Sequence, residues 1–253
     1  MAMIYKTTMK PGKLELVSSW LPTRPWYVPT GQAPELDRSG GFRLDDPEGE
    51  VGIEFMVLTD HSGGRETSYL VPLTYRGAPL DGAGAALVGT SEHGVLGTRW
   101  IYDGAHDPVL MGQLLALFQG RAVAQDQCDS GVSDPTVTAW CDGPGLPAAL
   151  QGWPEATDTA RGTDVRLPGG TESGTESGTE SGTESGTESG TAPGLTLALT
   201  RVLRPGTDEQ ADGPGAMGAL GAVGRLTAGW TTLDGAAYRG LFAELRTAGH
   251  AAA

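Results

Sequence analysis

The sequence predicts an α+β domain built on antiparallel strands and interrupted by a long disordered insert. Three observations carry this. Val51, Ile53, Phe55 and Val57 alternate at period two and are answered, after a Gly-rich loop, by Tyr69, Val71, Leu73 and Tyr75, the pattern of a half-buried antiparallel hairpin. Leu110, Leu114, Leu117 and Phe118 recur on one helical face behind Asp107-Pro108, a good N-cap followed by a proline suited to the first turn. Five tandem copies of Thr-Glu-Ser-Gly fill Thr171 to Gly190, with a period that matches neither helix nor strand burial and too few apolar groups to offset the entropy of ordering.

Taken in order, Lys13 to Trp20 mixes apolar and polar residues and fits a strand or a short helical turn. Pro22 and Pro25 then impose an extended path ahead of Trp26 and Tyr27, amphipathic aromatics of the kind that anchor a loop on a core. Gly41 to Asp45 is a short strand candidate, and Asp46-Pro47-Glu48-Gly49 supplies a turn. The hairpin strands run from Glu50 to Thr59 and from Thr67 to Tyr75; Pro72 places the second at a sheet edge or a bulge. Short strands are expected at Ala85 to Thr90 and Val95 to Tyr102. The helix falls within Asp103 to Gly120, with Gly120 as its stop. Val132 to Trp140 reads as another edge or bulged strand because of Pro135. No periodic apolar pattern is found from Gly143 to Gly194. Strands return at Leu195 to Leu203 and Gly221 to Thr231, and Tyr238 to Leu245 is a strand or short helix. Strands on both sides of the insert place it in a hairpin loop of one domain, where added length costs little.

The 253 residues carry a net charge of -14, which argues against a nucleic-acid or anionic-membrane partner. Only three of the 17 basic residues are Lys, all before position 14, and Gly and Ala abound; the bias resembles a GC-rich bacterial genome. Two cysteines, Cys128 and Cys141, are too few for a disulfide scaffold and read as free thiols in a reducing compartment, although a bridge between them is open. No other soft ligand accompanies them, so no zinc site is expected. The start shows no signal-peptide pattern and no apolar run spans a bilayer, so the expected location is the cytoplasm.

For catalysis, the densest constellation is Glu92, His93, Asp103, His106 and Asp107, which could bind a metal or supply a general base. Asp107 is already explained as a cap, Asp103-Gly104 is ordinary turn chemistry, and the His93–His106 spacing matches no metal motif. Catalytic residues are therefore expected to be absent, with His93, Asp103 and His106 the candidates to watch. No phosphate-binding loop, nucleophile elbow or kinase motif occurs, and no mid-chain lysine can hold phosphates, so no cofactor is expected. Arg76 and Arg99 sit beside aromatics, in Thr74-Tyr75-Arg76 and Thr98-Arg99-Trp100. Such an arginine grips a carboxylate or phosphate, or stacks on a ring and pairs with an aspartate. Trp26, Tyr27, Arg76, Arg99 and Trp100 are the candidates for ligand or partner contact.

Ser19-Trp20-Leu21 followed by Arg24-Pro25-Trp26-Tyr27 resembles the opening of bacterial maltokinases. Tyr69-Leu70-Val71-Pro72-Leu73, Ala86-Leu87-Val88-Gly89-Thr90 and Tyr102-Asp103-Gly104 with its following helix resemble successive elements of their N-terminal cap. The runs Val71 to Gly77 and Glu92 to Trp100 look like stand-alone proteins similar to that cap. The resemblance covers roughly residues 14 to 120. It implies a curved antiparallel β-sheet with one or two flanking helices. Residues 1–142 would form the cap-like region, 143–194 a linker, 195–247 strands completing the same domain and 248–253 a tail. No kinase lobes follow, so the resemblance implies a non-catalytic binding or regulatory module near α-glucan and maltose-phosphate metabolism. A kinase or glucan enzyme is the expected protein partner, and a sugar or nucleotide the expected ligand. The alternatives are a small sugar-active enzyme or hydrolase using the His93–Asp107 region, and the non-catalytic part of a split sugar kinase.

Overall fold

The computed structural model describes residues 8–129, 131–142, 146–150, 152–168, 194–205 and 222–247. The Thr-Glu-Ser-Gly repeat and the 248–253 tail lie outside the described residues. One largely antiparallel, open sheet takes up most of the rest. Its strands are β1 (Met9–Lys10), β2 (Leu36–Leu44), β3 (Gly52–Asp60), β4 (Thr67–Arg76), β5 (Leu87–His93), β6 (Gly97–Asp103), β7 (Thr138–Cys141), β8 (Glu155–Thr159), β9 (Gly162–Leu167), β10 (Leu195–Thr200), β11 (Ala222–Thr231) and β12 (Ala237–Thr247). The order is β1-β5-β6-β4-β3-β2-β11-β12-β10-β9-β8, with β7 paired to β11. Two short helices, α1 (Lys13–Trp20) and α2 (Pro108–Phe118), pack on it. The fold is thus more β-rich than the α+β expectation.

The hairpin expected at the centre is present, with Phe55 opposite Pro72 and Leu58 opposite Tyr69. It is buried on both faces rather than one. Ile53, Phe55, Val57 and Leu70 join a core that includes Leu110, Leu114 and Leu117 of α2 and Leu197 and Leu199 of β10. Met56, Leu58, Tyr69, Val71 and Leu73 join a second core under Val17, Trp20, Leu21 and Trp26. The cover comes from a segment distant in sequence, which period-two alternation within one hairpin cannot reveal.

Pro72 lies in an interior strand, not at an edge. It is tolerated because the sheet is locally unpaired beside it. On the side towards which Leu70 N–H points, β6 pairs with β4 only from Leu73 onward, while the Leu70 N–H donates to the Arg201 carbonyl at 2.9 Å. Pro72 sits between these two pairings, where a missing N–H costs no ladder bond. The Leu203 N–H donates to the Ser68 carbonyl at 2.8 Å, so the chain leaving β10 reaches back to β4 and the sheet is curled.

Strand β2 is longer than expected because Gly40 and Gly41 carry it through a bulge. Both have positive φ (147° and 117°), and a Cβ on Gly41 would lie 1.8 Å from the Phe55 carbonyl oxygen. The 143–194 segment, read as a linker, contains the β8–β9 hairpin. Strand β9 then pairs with β10, Leu167 opposite Leu195. The described strand that precedes residue 168 is thus β9, and the 132–140 segment contributes only β7, which pairs with β11. The ambiguous segments resolve as helix at α1 and strand at β12. Asp107 caps α2, accepting from the Val109 N–H at 2.9 Å.

Candidate functional site

Two aspartates of the expected constellation are structural. Asp103 is 1 % exposed and accepts from Arg201 Nη2 on both carboxylate oxygens, at 2.8 and 2.7 Å. Arg201 is itself fully buried, lies over the Trp26 ring at 5.1 Å, and donates from Nε to Thr163 Oγ1 at 2.7 Å. Thr163 and the Trp26 indole both donate to Asp158 Oδ1. Asp107, equally buried, takes a two-point bond from Arg76, Nε to Oδ2 and Nη2 to Oδ1, each 2.7 Å. That bond, against the cost of partial burial, raises the pKa of Arg76 above its ordinary value.

A single turn of 3-10 helix, Gly104–His106, lies between these two ion pairs. Asp103 accepts from the Ala105 N–H at its start, and Asp107 begins α2 at its end. His106 is thus held at both flanks, while its own ring makes no hydrogen bond or ion pair with the described residues. It lines an open cleft of about 540 Å³ together with Asp81, Gly82, Ala83, Trp153 and Pro154. Asp81 sits on a tight turn in which the Ala83 N–H donates to the Leu80 carbonyl and Gly82 supplies the required positive φ of 75°. The Tyr102 hydroxyl accepts from the Leu80 N–H at 2.9 Å and ties that turn to β6. Trp153, immediately before β8, is 52 % exposed, and Pro154 behind it is buried.

His93 is elsewhere. It pairs with Gly97 at the tip of the β5–β6 hairpin, whereas Asp103 ends β6 six residues on, about 20 Å away along a strand. Its Nδ1 accepts from the N–H groups of Val95 and Leu96 and shapes the hairpin turn. Partial burial, with the Arg99 and Lys13 charges, lowers its pKa. His93, Asp103 and His106 do not converge on one pocket, and no group of three or more metal-ligating side chains exists among the described residues.

The contact candidates separate similarly. Trp26 is 1 % exposed and packs edge-on against Trp20, so it anchors its loop. Tyr27 stacks on Tyr69 at 5.9 Å and bonds Asp60; burial and that carboxylate raise its pKa. Arg99 donates to the Leu96 carbonyl within the hairpin tip. Trp100 packs with Leu80, Ala83, Ala86 and Tyr102, behind the Asp81 turn. Asp81 and Trp153 were not among the candidates. Their only sequence signals were an Asp-Gly turn pair and an isolated tryptophan in a stretch without periodicity.

Among the described residues, the buried Asp103 and Asp107 are each paired with an arginine, and His106 lines an open cleft. The family model for the maltokinase N-terminal cap domain matches residues 20–107, from the end of α1 to the Asp107 cap. That portion is a cap-like segment comprising β2 to β6 and the His106 turn. No curated protein matches the chain. No helix among the described residues is long and apolar enough to cross a membrane.

Proposed function

We propose that the protein is a non-catalytic, cap-like binding or regulatory module that works in α-glucan and maltose-phosphate metabolism in the bacterial cytoplasm, on a separate kinase or glucan enzyme. The match of residues 20–107 to the maltokinase N-terminal cap domain carries this reading. The pairing of Asp103 with Arg201 and of Asp107 with Arg76 supports it, since carboxylates held this way anchor a scaffold. The reading of a small hydrolase has less support, because His93 lies at the tip of the β5–β6 hairpin whereas His106 lies in the turn at the other end of β6.

The test is affinity capture with the full chain as bait in lysate of its own source, followed by reconstitution with the captured protein. The expected prey is a sugar kinase or an enzyme acting on α-glucans, whose rate changes when the chain is added. A prey with kinase lobes and no cap of its own would make the chain part of a split kinase. Turnover of maltose and ATP by the purified chain alone, or capture of no such enzyme, would overturn the proposal.

A further inference from the structure

The geometry points to the cleft beside His106 as a binding site for a neutral saccharide, a ligand that does not depend on the protein partner proposed above. The chain's ionisable groups near this point are otherwise engaged: Asp103 by Arg201 and Asp107 by Arg76. Asp81, His106 and Trp153 are different. Their side chains make no hydrogen bond, ion pair or ring contact with the described residues, and all three line the same cleft.

The three side chains are complementary to a pyranose. An indole ring more than half exposed offers an apolar face to the C–H face of a sugar ring. A carboxylate accepts charge-assisted hydrogen bonds from neighbouring hydroxyls, and an imidazole adds a donor or an acceptor. The cleft volume, about 540 Å³, lies in the range of small-molecule sites and suits one or two sugar rings.

Charge decides against the phosphorylated alternatives. Among the described residues no lysine or arginine lines the cleft, and Asp81 would repel a phosphate. The Arg76 guanidinium, which pairs with Asp107 next to His106 in sequence, is already doubly bonded there. The walls are also preformed. His106 is fixed between two ion pairs whose carboxylates are buried, and Asp81 rides on a turn held by Tyr102. Trp153 precedes a buried proline that restricts its backbone. A preformed site loses little ordering entropy on binding.

The experiment is isothermal titration and ligand-observed NMR on the full chain, with glucose, maltose and trehalose compared with glucose 6-phosphate. A neutral sugar is expected to bind, and the phosphate ester more weakly. Trp153→Ala should weaken binding roughly tenfold, and Asp81→Asn several-fold, with the melting temperature unchanged because both side chains are solvent-facing. No binding by any neutral sugar, tighter binding of the phosphate ester, or full affinity in Trp153→Ala would each overturn the assignment. Affinity capture of a partner is read separately, so either result can fail without the other.

Discussion

Replacing Asp103 with Asn tests whether the cap-like segment and the later strands are one cooperative unit. Asp103 lies inside the matched segment and Arg201 lies outside it, at the end of β10. Both are buried, and Asp103 is the only anion hydrogen-bonded to Arg201 among the described residues. The substitution leaves a cation in the interior without its counter-charge, which costs about 3–5 kcal/mol. For a domain of this size that corresponds to a fall of roughly 10 °C in melting temperature. The assay is urea denaturation followed by tryptophan fluorescence and by far-UV circular dichroism. The two signals should report one coincident transition, shifted to lower denaturant. The double variant Asp103→Leu with Arg201→Met removes both charges and should recover most of the loss, because neither ion is then stranded. A single-variant loss below about 1 kcal/mol, or strict additivity in the double variant, would refute the argument. Separate transitions for the two signals would refute the single-unit picture.

Three further outcomes follow from particular contacts. Glu54 is desolvated by burial, but Lys13, the Tyr75 hydroxyl and Arg38 outweigh this and lower its pKa. A folded-state pKa below the unfolded one stabilises fully above the ordinary carboxylate range and is lost as pH falls through the lowered value; acid titration of Glu54→Gln should therefore show a flatter stability decline below about pH 4.3 than the native chain does. Cys128 is exposed, whereas burial and then the Asp142 charge raise the pKa of half-buried Cys141, so a thiol reagent near pH 8 should label Cys128 first; equal rates would contradict the described positions. Deleting Thr171 to Gly190 shortens the 168–194 connection by roughly two halvings, leaving the Leu167–Leu195 pairing in place and raising stability by about 1 kcal/mol or less; a drop of several degrees in melting temperature would show that the segment packs.

The parts legible in the sequence were those whose stabilising contacts are local. The β3–β4 hairpin announces itself by alternation, and α2 by Asp107-Pro108, one apolar face and Gly120. Strand β8 was not visible because Glu155–Thr159 is mostly polar, as an edge strand can be, and lacks an apolar rhythm. The extent of β2 was hidden because Ser39-Gly40-Gly41 reads as a turn, while the structure uses its glycines for a bulge. At the candidate site, His106 was visible as a residue type, but its setting was not. Asp103 and Arg201 are 98 residues apart, and Trp153 lines the same cleft as His106 from a position 47 residues further along the chain. No window along the chain contains those relationships.

The return of residues 201–203 to β4 has a consequence for how the polypeptide is made. As the chain emerges during translation, β3 and β4 appear more than a hundred residues before the segment that hydrogen-bonds to Ser68 and Leu70. For that interval the part of β4 before Leu73 is an open strand edge on the side away from β3 and Asp103 lacks its Arg201 partner, so the nascent intermediate exposes an adhesive surface. Fragments ending near residue 142 should accumulate as aggregates, whereas the full chain, once residues 201–203 arrive, can seal the edge itself.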